Sequence, residues 1–270
     1  MYSVVKKWFH YFYRMLLKYP GLNYVPQKII SLVPSQTELL HYLGLENETI
    51  GITKFCIHPH EWFITKKRVG GTKNIDHKKI ATLHPDLVIA NKEENTKEDI
   101  ETLSAKYPVW LTDIHNLAGA LEMIRDIGKL TARNHEAMAL AKLLKKLYPL
   151  HFKKTGRIAV VYLIWKDPFM TVGGDTFINS MLEYAGFDNV FSDLSRYPVI
   201  SMEDINNSAA RIILLSSEPY PFKEKHLKQM TLDTNKKIVL ADGEMFSWYG
   251  SRLLYAKEYF KKIMDHIHSI

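Results

Sequence analysis

Two similar α/β lobes joined by one helix are what this sequence of 270 residues predicts, on three observations. Short apolar runs alternate with helical periodicity on both sides of a central stretch, the order expected of parallel strands covered by helices. That stretch, TARNHEAMALAKLLKKLYPLHF from Thr131 to Phe152, has no glycine and many strong helix formers, so it reads as one long helix. The part after it loosely repeats the part before it. TELLHYLGLENETIG can be laid over INSMLEYAGFDNVFS, and IATLHPDLVIANKEE over INNSAARIILLSSEP, in the same order.

Taken in order, KIISLV is a buried strand that breaks at Pro34, and TELLHYL is a helix that stops at Gly44. Ser35 to Glu38 fill the break, where backbone donors point outward and a Ser or Thr side chain can cap the helix. TIGIT is a short strand leading into KFCIHPHEW; HKKIATL is a helix, DLVIA a strand, KEDIETLSAKY a helix, VWL a strand and LAGALEMIRDIGKL a helix. The long helix ends before Lys153, Lys154 and Gly156, and the alternation restarts with RIAVVYLIW. The expected divisions are an N-terminal segment at 1–27, a first lobe at 28–130, a connecting helix at 131–154 and a second lobe at 155–270. Ligands commonly sit between such lobes at the carboxyl ends of the strands, so a ligand cleft between the lobes is the expectation.

Apolar residues at 46% and charged residues at 24% belong to an ordinary folded protein. The formal charge of +7 is concentrated at the start, where residues 1–30 hold Lys6, Lys7, Arg14, Lys18 and Lys28 and no acid. No basic patch interleaved with stacking aromatics or nucleic-acid motif follows, which argues against a nucleic-acid partner. Residues 4–19 form a two-faced helix, with Val4, Trp8, Phe12, Met15 and Tyr19 opposite Lys6, Lys7, His10, Arg14 and Lys18. That pattern suits a membrane surface and equally suits a helix packed on its own domain. His10, Arg14 and Lys18 interrupt every apolar run before a secretory h-region forms, and no cysteine stands near the terminus to take a lipid. The single cysteine, Cys56, excludes an internal disulfide and leaves the compartment open between periplasm, cytoplasm and membrane surface.

The series KIISLVPSQTELLHYLGL, IGIT, VGGTKNIDHKKIATLHPDLVIA and FMTVGGDTFINSMLEYAGFDNVF resembles the helical-backbone class of periplasmic substrate-binding proteins over residues 28–267. The resemblance implies two α/β lobes, a connecting helix, and capture of cobalamin, haem or a ferric siderophore for an ABC importer. The ligand is then a metal chelate such as cobalamin, and the protein has no cofactor of its own. Carried over by position, Ser35, Gln36 and Thr37 match the first ligand loop, and Phe55, Cys56 and His58 the second. On the other lobe, Trp165, Phe169, Tyr197, Glu244, Trp248, Tyr249 and Arg252 fall near the family's ligand contacts. Trp and Tyr offer rigid contact area, and Arg pairs with carboxylate or phosphate. The family also presents an acid on each lobe to permease arginines. Glu203 matches on the second, and Glu98, one step from the aligned Lys97 and near Glu93 and Glu94, is the candidate on the first. Acids at a solvated helix start are favourable in any case.

Cys56, His58 and His60 place three soft or borderline donors within five residues, and Cys56 or His58 could serve as an axial ligand to a chelated metal. The spacing matches no zinc template and also reads as a small buried cysteine with two turn histidines. The glycine pair of TVGGDTF reads as a turn before it reads as a phosphate cradle. No G-x-S-x-G, H-E-x-x-H, P-loop or acidic metal cluster is present, which favours a binding protein over an enzyme. Two other classes stay open: a cytoplasmic tetrapyrrole- or metal-handling enzyme or metallochaperone on the same fold, and a scaffold held at the membrane by its first helix.

Overall fold

The computed structural model of the protein describes residues 22–149 and 156–269. The amphipathic segment expected at 4–19 and the last residues of the expected connecting helix, 150–154, lie outside the described residues. The described chain forms two compact units. One comprises residues 22–113, 121–143 and 249–251; the other comprises 114–120, 144–149, 156–248 and 252–269. Two short segments therefore depart from the expected division: 114–120 go with the second unit and 249–251 with the first.

The first unit holds strands β1 (Ile29–Ser31), β2 (Thr49–Ile52), β3 (Lys67–Arg68), β4 (Leu87–Asn91) and β5 (Val109–Thr112), in the order β3-β2-β1-β4-β5. Every pairing is parallel, with Ile30 beside Gly51 on one side and Val88 on the other. Helices α1 (Pro34–Tyr42), α2 (His60–Thr65), α3 (His77–Leu83) and α4 (Lys97–Ser104) connect them. Covered on both faces, β1 and β4 are buried along their whole length, which is why their sequences are apolar runs and do not alternate. Ile30, Val88, Ala90 and Val109 pack with Ile80 of α3 and Ile100 of α4 into one core.

Helix α1 begins earlier than the sequence suggests. Pro34 occupies its first turn, where a missing N–H is harmless, and Val33 precedes it with no side-chain cap. Ser35, Gln36 and Thr37 are thus the first turn of the helix and not a capping loop.

The long helix expected from Thr131 starts three residues later, at Asn134. Helices α5 (Leu117–Leu130) and α6 (Asn134–Leu147) are separate, with Ala132 between them at a left-handed φ of 57° and Arg133 N–H returning to the Gly128 carbonyl at 2.8 Å. Gly128 permits this turn, since a Cβ there would stand 2.4 Å from the Cβ of Ala137. The end of α5 meets the first turn of α6, so the chain turns where helix-forming residues would otherwise run on.

In the second unit, β6 (Ile158–Leu163), β7 (Phe187–Asn189), β8 (Ile212–Ser216) and β9 (Lys237–Ala241) are parallel in the order β7-β6-β8-β9. Helices α7 (Phe177–Ala185), α8 (Met202–Asn207), α9 (Glu224–Met230), α10 (Glu244–Ser247) and α11 (Leu253–Ser269) accompany them. Val161, Leu163, Ile213 and Leu215 pack with Ile205, Phe222 and Met230. Each sheet has one place where successive connections diverge: β1 is flanked by β2 and β4, and β6 by β7 and β8. In open parallel sheets, ligands commonly bind beside the carboxyl ends of the strands at such points. Among the described residues, no helix is long and apolar enough to cross a membrane.

Candidate ligand-binding site

At the carboxyl edge of the first sheet the interior is polar and closely bonded. Gln36 Nε2 donates to Thr112 Oγ1 at 2.7 Å, and Asn91 Nδ2 donates to the same oxygen at 3.1 Å. Thr112 Oγ1 in turn donates to the Ala90 carbonyl at 3.0 Å. Asn95 closes the loop after β4, its Oδ1 accepting the Asn91 N–H at 2.9 Å and its Nδ2 donating to the Thr72 carbonyl at 3.1 Å. Asn91 Oδ1 accepts from the backbone of Glu93 at 2.8 Å and of Glu94 at 3.3 Å. The result is a turn held by amides, with Glu94 at its end. Burial pushes the Glu94 carboxyl above its usual range, Glu93 adds to this and Lys73 opposes it.

The Tyr249 phenol lies against the side chains of Ser35 and Gln36; burial pushes its pKa up, with Glu94 adding to the rise. Thr37 Oγ1 is 2.8 Å from Ser31 Oγ, 2.9 Å from the Val33 carbonyl and 3.1 Å from Cys56 Sγ. Cys56 is 0% exposed and its sulfur also lies 3.2 Å from Thr53 Oγ1. Burial raises the thiol's pKa above its ordinary value, against the pull of the two threonines. Cys56 as an axial metal ligand is therefore corrected: it is a neutral core residue facing hydroxyls. The same burial turns Thr37 inward, as a brace between β1 and the Cys56 loop. Phe55, 50% exposed, Ile57, 42% exposed, and half-buried His58 are members of that loop that reach the surface. His60 starts α2 and stacks near Phe63, and no metal-binding group of three His, Cys, Asp or Glu occurs among the described residues.

The carboxyl edge of the second sheet is built from rings. Trp165, 40% exposed, stands edge-on to Tyr220 at 5.6 Å between centroids, and Tyr220 packs against Phe222 at 4.7 Å and His226 at 5.5 Å. Below them Tyr162 donates to Ser216 Oγ at 3.0 Å and packs on Phe246 at 5.3 Å. Phe169 packs against the core of this unit. Tyr197 lies half-buried beneath the Arg196 guanidinium at 5.8 Å.

Trp248 is only 6% exposed, its indole N–H donating to Glu218 Oε1 at 2.9 Å. Arg252 lies over the Trp248 ring at 5.0 Å and pairs with Glu244 at 3.3 Å. Glu244, Trp248 and Arg252 thus form one closed cluster. Gly243 allows it, because a Cβ there would meet Ser216 Oγ at 2.5 Å and Glu218 Cγ at 2.6 Å. The Gly173 and Gly174 N–H groups donate to the carbonyls of Arg196 and Leu194, so this pair is a packed turn with no donors to spare for phosphate.

Glu98 and Glu203 are exposed in the first turns of α4 and α8, helices capped by Thr96 and Ser201. Three candidate residues at these edges do not stand out in the sequence. Glu94 was noticed only as a neighbour of Glu98, although asparagines flanking an acid pair at a strand end signal a side-chain-held turn. Tyr220 and Glu218 carried no local signal.

A family profile described as periplasmic binding protein matches residues 29–244. The vitamin B12-binding protein of Vibrio campbellii is 25% identical over 195 residues, 70% of each chain. An uncharacterized ABC transporter substrate-binding lipoprotein of Bacillus subtilis, YvrC, is 29% identical over 67% of this chain and 60% of its own length. Among solved structures, the periplasmic heme-binding protein RhuT from Roseiflexus matches with a TM-score of 0.74 at 20% identity, covering 88% of this chain and 98% of that one.

Proposed function

The chain belongs to the periplasmic binding protein family, and on that premise we propose that it captures a metal chelate of the corrinoid, haem or ferric-siderophore kind for an ABC-type importer, without chemistry of its own. The relatives named for vitamin B12 and haem, and the substrate-binding lipoprotein, support this choice of ligand and partner. The observation that carries it is the ring cluster at the carboxyl ends of β6 and β8, where Trp165 stays 40% exposed with its neighbours fixed behind it. A rigid, exposed indole at a sheet edge offers area to a broad flat ligand at little cost in conformational entropy. The ligand brings its metal already coordinated. On the first unit Phe55 and His58, and on the second Trp165 and Tyr197, are the candidate contact residues. Glu98 and Glu203 are the acids offered to a permease, and the working place is outside the cytoplasmic membrane.

Titration calorimetry with cyanocobalamin, haemin and ferrichrome tests the reading. The expected result is binding of at least one of them at roughly 1 µM or tighter. Absence of heat with all three overturns it.

A further inference from the structure

Glu94 is the one acid whose surroundings bear on which chelate is taken. The Asn91 side chain fixes its backbone, so the carboxylate is presented from a defined turn at the end of β4. Among the described residues that carboxylate has no hydrogen bond or ion pair. The groups around it are Lys73, Glu93, the Tyr249 phenol and the Cys56 thiol, and the Lys73 ammonium already donates to the Glu93 carbonyl. A second, independent observation lies on α1. Gln36 is 0% exposed and uses its Nε2 on Thr112, while its Oε1 has no partner; the same side chain touches the Tyr249 phenol that stands in the field of Glu94. Gln36 Oε1 and the Glu94 carboxylate are thus two acceptors left over in this unit. The arginine that the sequence offered to an anionic ligand, Arg252, is held by Glu244 and Trp248 within its own unit.

We propose that Glu94 sets the ligand class: the captured chelate meets the first unit with neutral hydrogen-bond donors, amide or amine N–H groups, and chelates fringed with carboxylates are rejected. The inference rests on the binding-protein reading above. An N–H donated to a carboxylate in a partly dehydrated site is stronger than one donated to a neutral acceptor. A ligand carboxylate brought to the same place meets like charge that water screens poorly.

Calorimetry at pH 7.5 with two amide-bearing probes, cyanocobalamin and ferrichrome, and two carboxylate-bearing probes, haemin and ferric citrate, tests it. The wild type should bind an amide-bearing probe roughly 100-fold tighter than either carboxylate probe. Glu94→Gln keeps shape and an acceptor but drops the charge, and should narrow that ratio to about tenfold. Glu94→Lys should turn the preference toward haemin or ferric citrate, with melting temperature measured alongside to establish that each variant is folded. A wild type that prefers a carboxylate probe, or a ratio unchanged in both folded variants, overturns the assignment of Glu94 and leaves the binding-protein reading standing. A wild type that binds none of the four overturns both.

Discussion

Where β1 and β4 end, the first unit places amides and hydroxyls, with Gln36, Asn91 and Thr112 bonded around a single oxygen. Where β6 and β8 end, the second unit places rings, with Trp165, Tyr220, Phe222 and His226 packed edge to face. Both edges arise from the same parallel topology, yet they are held by different forces. The amide edge depends on direction, so losing one atom leaves its partners buried and unsatisfied. The ring edge depends on area and close approach, so it tolerates loss of an outer ring but not an added atom underneath.

The largest expected effect follows from that last clause. Gly243→Ala puts a Cβ 2.5 Å from Ser216 Oγ and 2.6 Å from Glu218 Cγ, with the Glu218 backbone nitrogen at 3.0 Å. Part of this obstruction is backbone and cannot swing away, so urea denaturation should show a loss of about 3 kcal/mol. Near-ultraviolet circular dichroism should change as Trp248 loses its bond to Glu218. A neutral Gly243→Ala would mean that the ring edge is as soft as its exposed members.

Next comes the shared oxygen of the amide edge. Thr112→Val is nearly the same size but removes the acceptor of Gln36 Nε2 and one of the two acceptors of Asn91 Nδ2. A loss of roughly 2 kcal/mol is expected by the same denaturation, with Thr112→Ser recovering most of it. Equal stability of the Val and Ser variants would show that the network does not depend on that hydroxyl.

A smaller, pH-dependent effect belongs to Glu94. Its folded pKa is raised above the usual 4.5, mainly by burial, so the folded state favours the protonated form. Protonated Glu94 adds no penalty below the unfolded value, and the penalty grows as pH rises from there through the raised folded value. Glu94→Gln should therefore match the wild type in melting temperature at pH 4 and exceed it at pH 7.5. A gap that is constant across this range would show that the effect is one of shape and not of charge.

The strands were legible because parallel strands covered on both faces must be apolar throughout, and DLVIA and IILLS can be little else. The α/β class and the doubled plan followed from them. The separation of two helices after Leu130 was legible, but the start of the second was not, since Thr131, Ala132 and Arg133 would be acceptable in a helix; the close approach of Gly128 to Ala137 at this turn joins residues nine positions apart. At the strand edges, residue type did not reveal the direction of the side chains. Ser35, Gln36 and Thr37 looked like a polar loop until Pro34 drew them into the first turn of α1. Cys56 looked like a donor until two threonines enclosed it. Trp165 and Trp248 were alike in sequence, and only the carboxylate of Glu218, thirty residues from Trp248, separates a surface ring from a structural one.

That separation gives the smallest stability effect and the sharpest test of the comparison. Trp165 rests on Tyr220 through one edge contact and keeps 40% of its surface in water, so Trp165→Ala removes an outer ring and opens no enclosed cavity. The stability lost should be about 1 kcal/mol or less, the scale of a single aromatic pair. If this ring is a ligand platform, affinity for the bound chelate should fall roughly tenfold or more in the same variant, because large aromatic anchors dominate such contacts. Denaturation and calorimetry on one protein then weigh the two roles directly. A stability loss as large as that of Thr112→Val, with affinity unchanged, would move Trp165 into the structural group with Trp248 and leave the ring edge without an exposed face for a ligand.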